Sequence, residues 1–86
     1  MSESKSIAEI EAGWDAFDRP VDGTRYRHYR GGEYVITATG FIEETEAPAV
    51  VYRSLTDDTV WVRTAENFFE SVEQDGEAVA RFTPVM

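Results

Sequence analysis

Arg25-Tyr26-Arg27-His28-Tyr29-Arg30 is the stretch of this 86-residue chain best equipped for chemistry. Arginine and histidine side chains alternate there with tyrosines, and no acidic residue interrupts Thr24 to Gly32. On a strand, Arg25, Arg27 and Tyr29 share one face while Tyr26, His28 and Arg30 share the other. Two guanidinium groups side by side can bind a carboxylate or a phosphate through charge-assisted hydrogen bonds. The competing reading is that these arginines pair with the chain's own acidic side chains while the tyrosines complete the core. The second reading carries more weight, because exposed Arg–carboxylate pairs are common and contribute little.

His28 is the single histidine. A two-histidine metal site is therefore hard to build, and so is a nucleophile–histidine–carboxylate arrangement with a spare base. As a lone acid or base His28 stays a candidate. The plainer reading is a strand histidine hydrogen-bonded to a neighbour. The chain has no cysteine, which removes disulfides, thiolate nucleophiles and cysteine zinc sites together. It has no glycine-rich phosphate loop and no serine in a nucleophile-elbow context. No cofactor is implied, and an enzyme ranks last among the readings.

Two further constellations stand out. Arg53, Trp61 and Arg63 follow strand alternation, so Trp61 beside Tyr52 would make an aromatic platform flanked by guanidinium groups, of the kind that docks peptides. Against this, Trp61 is equally suited to the centre of a small core, and that reading is preferred because large aromatics dominate small cores. Acidic residues cluster at Glu43-Glu44-Glu46 and at Asp57-Asp58. They would hold a hard cation only if the two loops met, and their spacing matches no calcium-binding loop, so we read them as solvated loop charges and expect no metal.

The elements that must position these residues are short. From Ser4 to Asp18, Ile7, Ile10, Trp14 and Phe17 recur at three- and four-residue intervals, which places them on one face of a helix over residues 6–18. Ser6 and Glu9 form a capping box at its start, Pro20 prevents its continuation, and Gly13 weakens it. The periodicity then changes to two. Strands are expected over Arg25 to Tyr29, Tyr34 to Thr39, Ala49 to Tyr52 and Thr59 to Arg63. The first two are joined by Gly31-Gly32, the last two by a turn at Thr56-Asp57-Asp58. Thr64 to Asn67 suits a helical turn. Asp75-Gly76, the residue pair that populates positive φ, predicts a last hairpin between residues 70–74 and 77–82.

The fold class these elements predict is mainly β, a small SH3-like barrel of about five strands with a short N-terminal α-helix. Residues 1–22 form a helical appendage and residues 23–86 the barrel. Two tryptophans, four tyrosines and five phenylalanines supply its core. A chain this short buries only about 60% of the surface its unfolded form exposes, so stability should be modest. The polar start and the lack of a long apolar run place the protein in the cytoplasm, with no membrane contact.

The ordered set Tyr26-Arg27-His28-Tyr29, Val50-Val51-Tyr52-Arg53, Trp61-Val62-Arg63, Asp75-Gly76 and Arg81-Phe82, with Phe68, Glu70, Val72 and Val79 between, resembles a small bacterial family known as domain of unknown function 1653. The resemblance covers about residues 23 to 83 and implies an SH3-type barrel roll, but no activity. The chain departs from that pattern at Phe41-Ile42-Glu43, where family members often carry an Arg-His-Ser/Thr stretch. It departs again at Thr64 and Ala80, where the usual residue is proline. The N-terminal helix lies outside the resemblance.

A formal net charge of −9 repels phosphate backbones, so nucleic acid is a disfavoured partner. The leading expectation is a non-enzymatic binding module for a protein segment or a small anionic ligand. Its site would draw on Arg25, Arg27, His28, Tyr52, Arg53, Trp61 and Arg63. The alternatives are a homo-oligomeric accessory protein that pairs through the Ile7/Ile10/Trp14/Phe17 face, and a single-strand or RNA-binding barrel built on the RYRHYR strand.

Overall fold

A computed structural model describes residues 5–85. The chain starts with the expected capping box. Ser6 Oγ accepts from the Glu9 amide at 3.2 Å, and Glu9 Oε1 accepts from the Ser6 amide at 2.8 Å. Helix α1 runs over Ile7–Glu11, but the continuous helix predicted over 6–18 stops there, and Ala12–Ala16 form a 3₁₀ turn. At this change of pitch Gly13 lies so close to the chain at Pro48 that a Cβ on it would stand 3.1 Å from Pro48 Cγ. A 3₁₀ turn advances by about 120° per residue rather than 100°, so the apolar stripe breaks. Ile7 is left 74% exposed, while Trp14 is 4% exposed and Phe17 packs beside it.

Five strands form one antiparallel sheet. They are β1 (Arg25–His28), β2 (Glu33–Phe41), β3 (Pro48–Ser54), β4 (Val60–Thr64) and β7 (Phe82–Pro84), in the order β4-β3-β2-β1-β7. The tight turn between β1 and β2 has Gly31 and Gly32 at φ +97° and +83°, a conformation open to glycine and strained for other residues. Between β5 (Ser71–Gln74) and β6 (Glu77–Ala80), Asp75 and Gly76 take φ values of 52° and 83°, as the hairpin reading requires. These two strands form a separate ribbon. The expected barrel of about five strands is therefore realised as an open sheet plus a ribbon. Among the described residues no pairing joins β4 to β7, so the sheet does not close.

A bulge interrupts β2. Ile36 pairs with Tyr52 and Ala38 with Val51, so Thr37 is the extra residue, and its hydroxyl donates to the Val51 carbonyl at 3.1 Å. Gly40, three residues further on, continues the ladder opposite Ala49.

The core fills one face of this sheet. Phe68, the last residue of the short helix α2 (Ala65–Phe68), is fully buried. It stacks on Phe82 at 4.2 Å between ring centroids and meets Tyr26 and Tyr52 edge-on at 5.3 and 5.5 Å. Thr64 fixes the start of α2: its hydroxyl accepts from the Asn67 amide at 3.2 Å. The N-terminal segment is an appendage in chain order alone, because Trp14 belongs to the same core cluster as Ile36, Val50 and Phe68. The Trp14 indole donates to the Gly40 carbonyl at 3.3 Å. No helix among the described residues is long and apolar enough to cross a membrane.

Candidate functional site

Strand register divides the seven candidate residues between the two faces of the sheet. Directly opposed residues in an antiparallel pair lie on the same face. Arg25 opposes Val35, which opposes Arg53, which opposes Val60, so both arginines lie on the outer face, away from the core. Arg27, two residues beyond Arg25, joins them. Tyr52 opposes Trp61 and Val50 opposes Arg63, and Tyr52 and Val50 are core residues, so Trp61 and Arg63 lie on the inner face at the rim of β4. His28 opposes Phe82 on that same face.

The outer arginines are matched by acids. Arg27 donates to Glu33 at 2.9 Å, and Arg25 lies 3.8 Å from the other oxygen of the same carboxylate. Arg53 pairs with Asp58 at 2.6 Å. These pairs are solvent-accessible and add little to stability. Arg19 meets Glu11 at 2.9 Å, and Arg81 meets Glu70 at 2.7 Å. The reading that the arginines neutralise the chain's own carboxylates thus holds for these five.

Arg30 and Arg63 have no carboxylate partner among the described residues. Arg30 is exposed, and its Nε donates to the Tyr29 hydroxyl at 3.0 Å. Arg63 is half-buried. Its Nε donates to the Tyr52 hydroxyl at 2.8 Å, its Nη1 donates to Asn67 Oδ1, and its guanidinium lies 5.8 Å from the Phe82 ring centre. Three neutral groups hold the side chain in one orientation without cancelling its charge, and Nη2 carries no hydrogen bond among the described residues. A fixed, half-buried guanidinium with open donors has the chemistry to pair with a carboxylate or a phosphate.

A cleft of about 550 Å³ opens above this group, lined by His28, Tyr34, Tyr52, Trp61, Arg63, Asn67 and Phe82. Trp61, expected at the centre of the core, is 52% exposed and forms one wall. The physical reason is that β4 is an edge strand, and Phe68 delivered by α2 already occupies the centre that Trp61 would fill. Tyr52 is 3% exposed and forms the floor, so the two residues do stand together, one buried and one at the mouth. A mostly aromatic cleft with a few convergent polar groups is the usual form of a small-ligand site.

Electrostatics in the cleft favour an anion. The His28 ring packs edge-on against Phe82 at 5.0 Å. Its pKa is held below the ordinary histidine range, first by burial and then by the positive charges of Arg63, Arg81 and Arg30. The Arg30 amide donates to His28 Nδ1 at 3.2 Å, so the neutral ring carries its proton on Nε2. Burial raises the pKa of Tyr52, and the hydrogen bond and charge of Arg63 oppose that rise, so Tyr52 stays a neutral phenol near pH 7.

Asn67, Tyr34 and Phe82 belong to the cleft without having been singled out by their sequence context. For Asn67 a signal existed: it stands four residues after Arg63 and three after a threonine suited to capping, so the turn that forms α2 returns its amide to Arg63. For Tyr34 and Phe82 strand alternation alone did not separate a cleft wall from the core. Among the described residues no group of three or more His, Cys, Asp or Glu side chains is placed to hold a metal ion.

Comparison with known proteins places this architecture. The family described as protein of unknown function (DUF1653) matches residues 24–84, and the chain belongs to it. A crystal structure of a member of that family from Bordetella bronchiseptica is similar, with a TM-score of 0.66 and 28% sequence identity, covering 77% of this chain and 87% of the other. No curated protein matches the chain.

Proposed function

We propose that this protein is a non-enzymatic binding module that takes a carboxylate or phosphate group, carried on a flat or apolar body, into the cleft over Arg63. The observation that carries the reading is the state of that arginine. In a chain of seventeen acidic and eight basic residues, Arg63 is held by Tyr52 and Asn67 with no acid beside it among the described residues. Trp61 offers a face for the body of the ligand, and the Nε2 proton of His28 offers a second donor. Among the described residues His28 meets aromatic rings and a backbone amide, an arrangement that suits a hydrogen-bond donor to a bound anion.

The fold reading that goes with this proposal is an SH3-like roll, supported by the bulge at Thr37, which bends its strand, and by the helical turn ahead of the last strands. A cytoplasmic setting fits the cysteine-free composition.

Thermal unfolding with benzoate and with phenyl phosphate tests the function. Ligand at about 100 times its dissociation constant adds about 2.7 kcal/mol, a clear rise in midpoint. The rise should vanish in Arg63→Gln and persist in Arg27→Ala. No rise with either probe, or a rise that Arg63→Gln leaves intact, overturns the proposal.

A further inference from the structure

The sheet has two edges, and they are not alike. β7 is three residues long and includes Pro84, which has no amide to offer an incoming strand. β4 is five residues long and has no proline, lysine or bulge. Its first three residues Val60, Trp61 and Val62 are 55%, 52% and 55% exposed, three consecutive large apolar side chains on an edge with no second strand among the described residues. Proteins ordinarily blunt such an edge, because its unpaired amides and carbonyls are a template for another strand. One edge here is blunted and the other left open.

We infer that β4 is a docking edge for an extended segment of another protein, which pairs with Val60–Thr64 as an added strand and places an acidic side chain opposite Arg63. This rests on the reading of Arg63 as an anion anchor and names the body that carries the anion as a peptide. A residue opposite Arg63 on an added strand lies on the inner face with Arg63, and a residue two places along faces Trp61. The matching segment therefore has an acidic residue and an apolar or aromatic residue two positions apart.

Charge selects this occupant over a second copy of the chain. β4 contains no acidic residue, but Asp57 and Asp58 precede it and Glu66 follows. Antiparallel self-pairing about Val62 would bring Asp58 of each copy toward Glu66 of the other, between chains of net charge −9. A foreign segment with basic residues beyond its ends meets those same acids favourably.

The probe is a blocked peptide, Lys-Val-Thr-Glu-Thr-Val-Lys, titrated into isotope-labelled full-length protein and followed by backbone amide NMR. The expected result is saturable shifts centred on Val60 to Thr64 at or below about millimolar peptide. N-methylation of the peptide's β4-facing amides should weaken binding about tenfold, the effect of losing one or two hydrogen bonds. Arg63→Glu should transfer preference to the peptide with Lys in place of Glu, and an amide spectrum of unchanged dispersion shows that the variant is folded. Equal binding of the N-methylated peptide, shifts elsewhere, no shift at all, or sedimentation as a dimer paired through β4 each overturns the inference. Benzoate separates this failure from failure of the function: benzoate shifts at the cleft without peptide shifts reject the edge alone, and absence of both rejects both.

Discussion

Arg63 Nε donates to the hydroxyl of Tyr52 at 2.8 Å, from the edge strand β4 to its neighbour β3, and the tyrosine is itself 3% exposed. The buried phenol thus serves as a fixed post against which a charged side chain is aimed. It is the contact that distinguishes Arg63 from the arginines matched by Glu11, Glu33, Asp58 and Glu70.

Tyr52→Phe removes the acceptor and keeps the ring. A hydrogen bond to a charged group is worth about 1–3 kcal/mol, so stability should fall by about 1 kcal/mol while Asn67 still holds Nη1. Affinity for phenyl phosphate should fall several-fold because the guanidinium loses its orientation. Urea denaturation and titration calorimetry read the two effects separately.

His28 titrates below the ordinary histidine value, so in acid the unfolded chain binds its proton first. Its contribution to stability is complete above pH about 6.5 and is lost as pH falls through the lower folded value. His28→Gln should flatten that part of the pH–stability curve. Arg63→Gln removes the largest of the charges that depress His28, so the folded pKa should move up toward the ordinary value. The single histidine ring gives an unambiguous NMR titration for both.

The capping box, the two positive-φ turns and the strand order of the hairpins were legible because each rests on local chemistry: Ser6 with Glu9, Gly31-Gly32 and Asp75-Gly76. The helix from 12 onward and the burial of Trp61 were not, since both depend on distant partners. Gly13 reads as a weakness in a helix and acts as a clearance for Pro48, 35 positions away in the chain. Trp61 reads as core by size, but only the sheet order shows that its strand is an edge. The arginine run at 25–30 was visible from composition, whereas Arg63, half-buried on the inner face and held by Tyr52 and Asn67 rather than by an acid, could be recognised only once the strand register and the pairings were known.

Gly13→Ala tests the clearance. Helix propensity alone favours alanine by about 1 kcal/mol. The Cβ would press on the stiff Pro48 ring at 3.1 Å, so the expected net change is zero or a loss of stability, read from the denaturation midpoint.

Phe68→Ala should be the most damaging of these substitutions. It empties the point where α2 meets Phe82, Tyr26 and Tyr52, and large aromatic truncations in a core cost about 3–5 kcal/mol. Arg27→Ala, by contrast, should change stability by less than about 1 kcal/mol, since its pair with Glu33 is exposed.

The most direct test of the cleft over Arg63 is an NMR titration with phenyl phosphate that follows the His28 ring and the two indole N–H signals. Trp61 and His28 should shift together and saturate, and the Trp14 indole, bonded to the Gly40 carbonyl in the core, should stay in place. The His28 pKa should rise as the bound anion offsets Arg63, and every change should disappear in Arg63→Gln. Shifts confined to Arg25, Arg27 and Arg53 on the outer face, or shifts at the cleft that survive Arg63→Gln, would contradict the account.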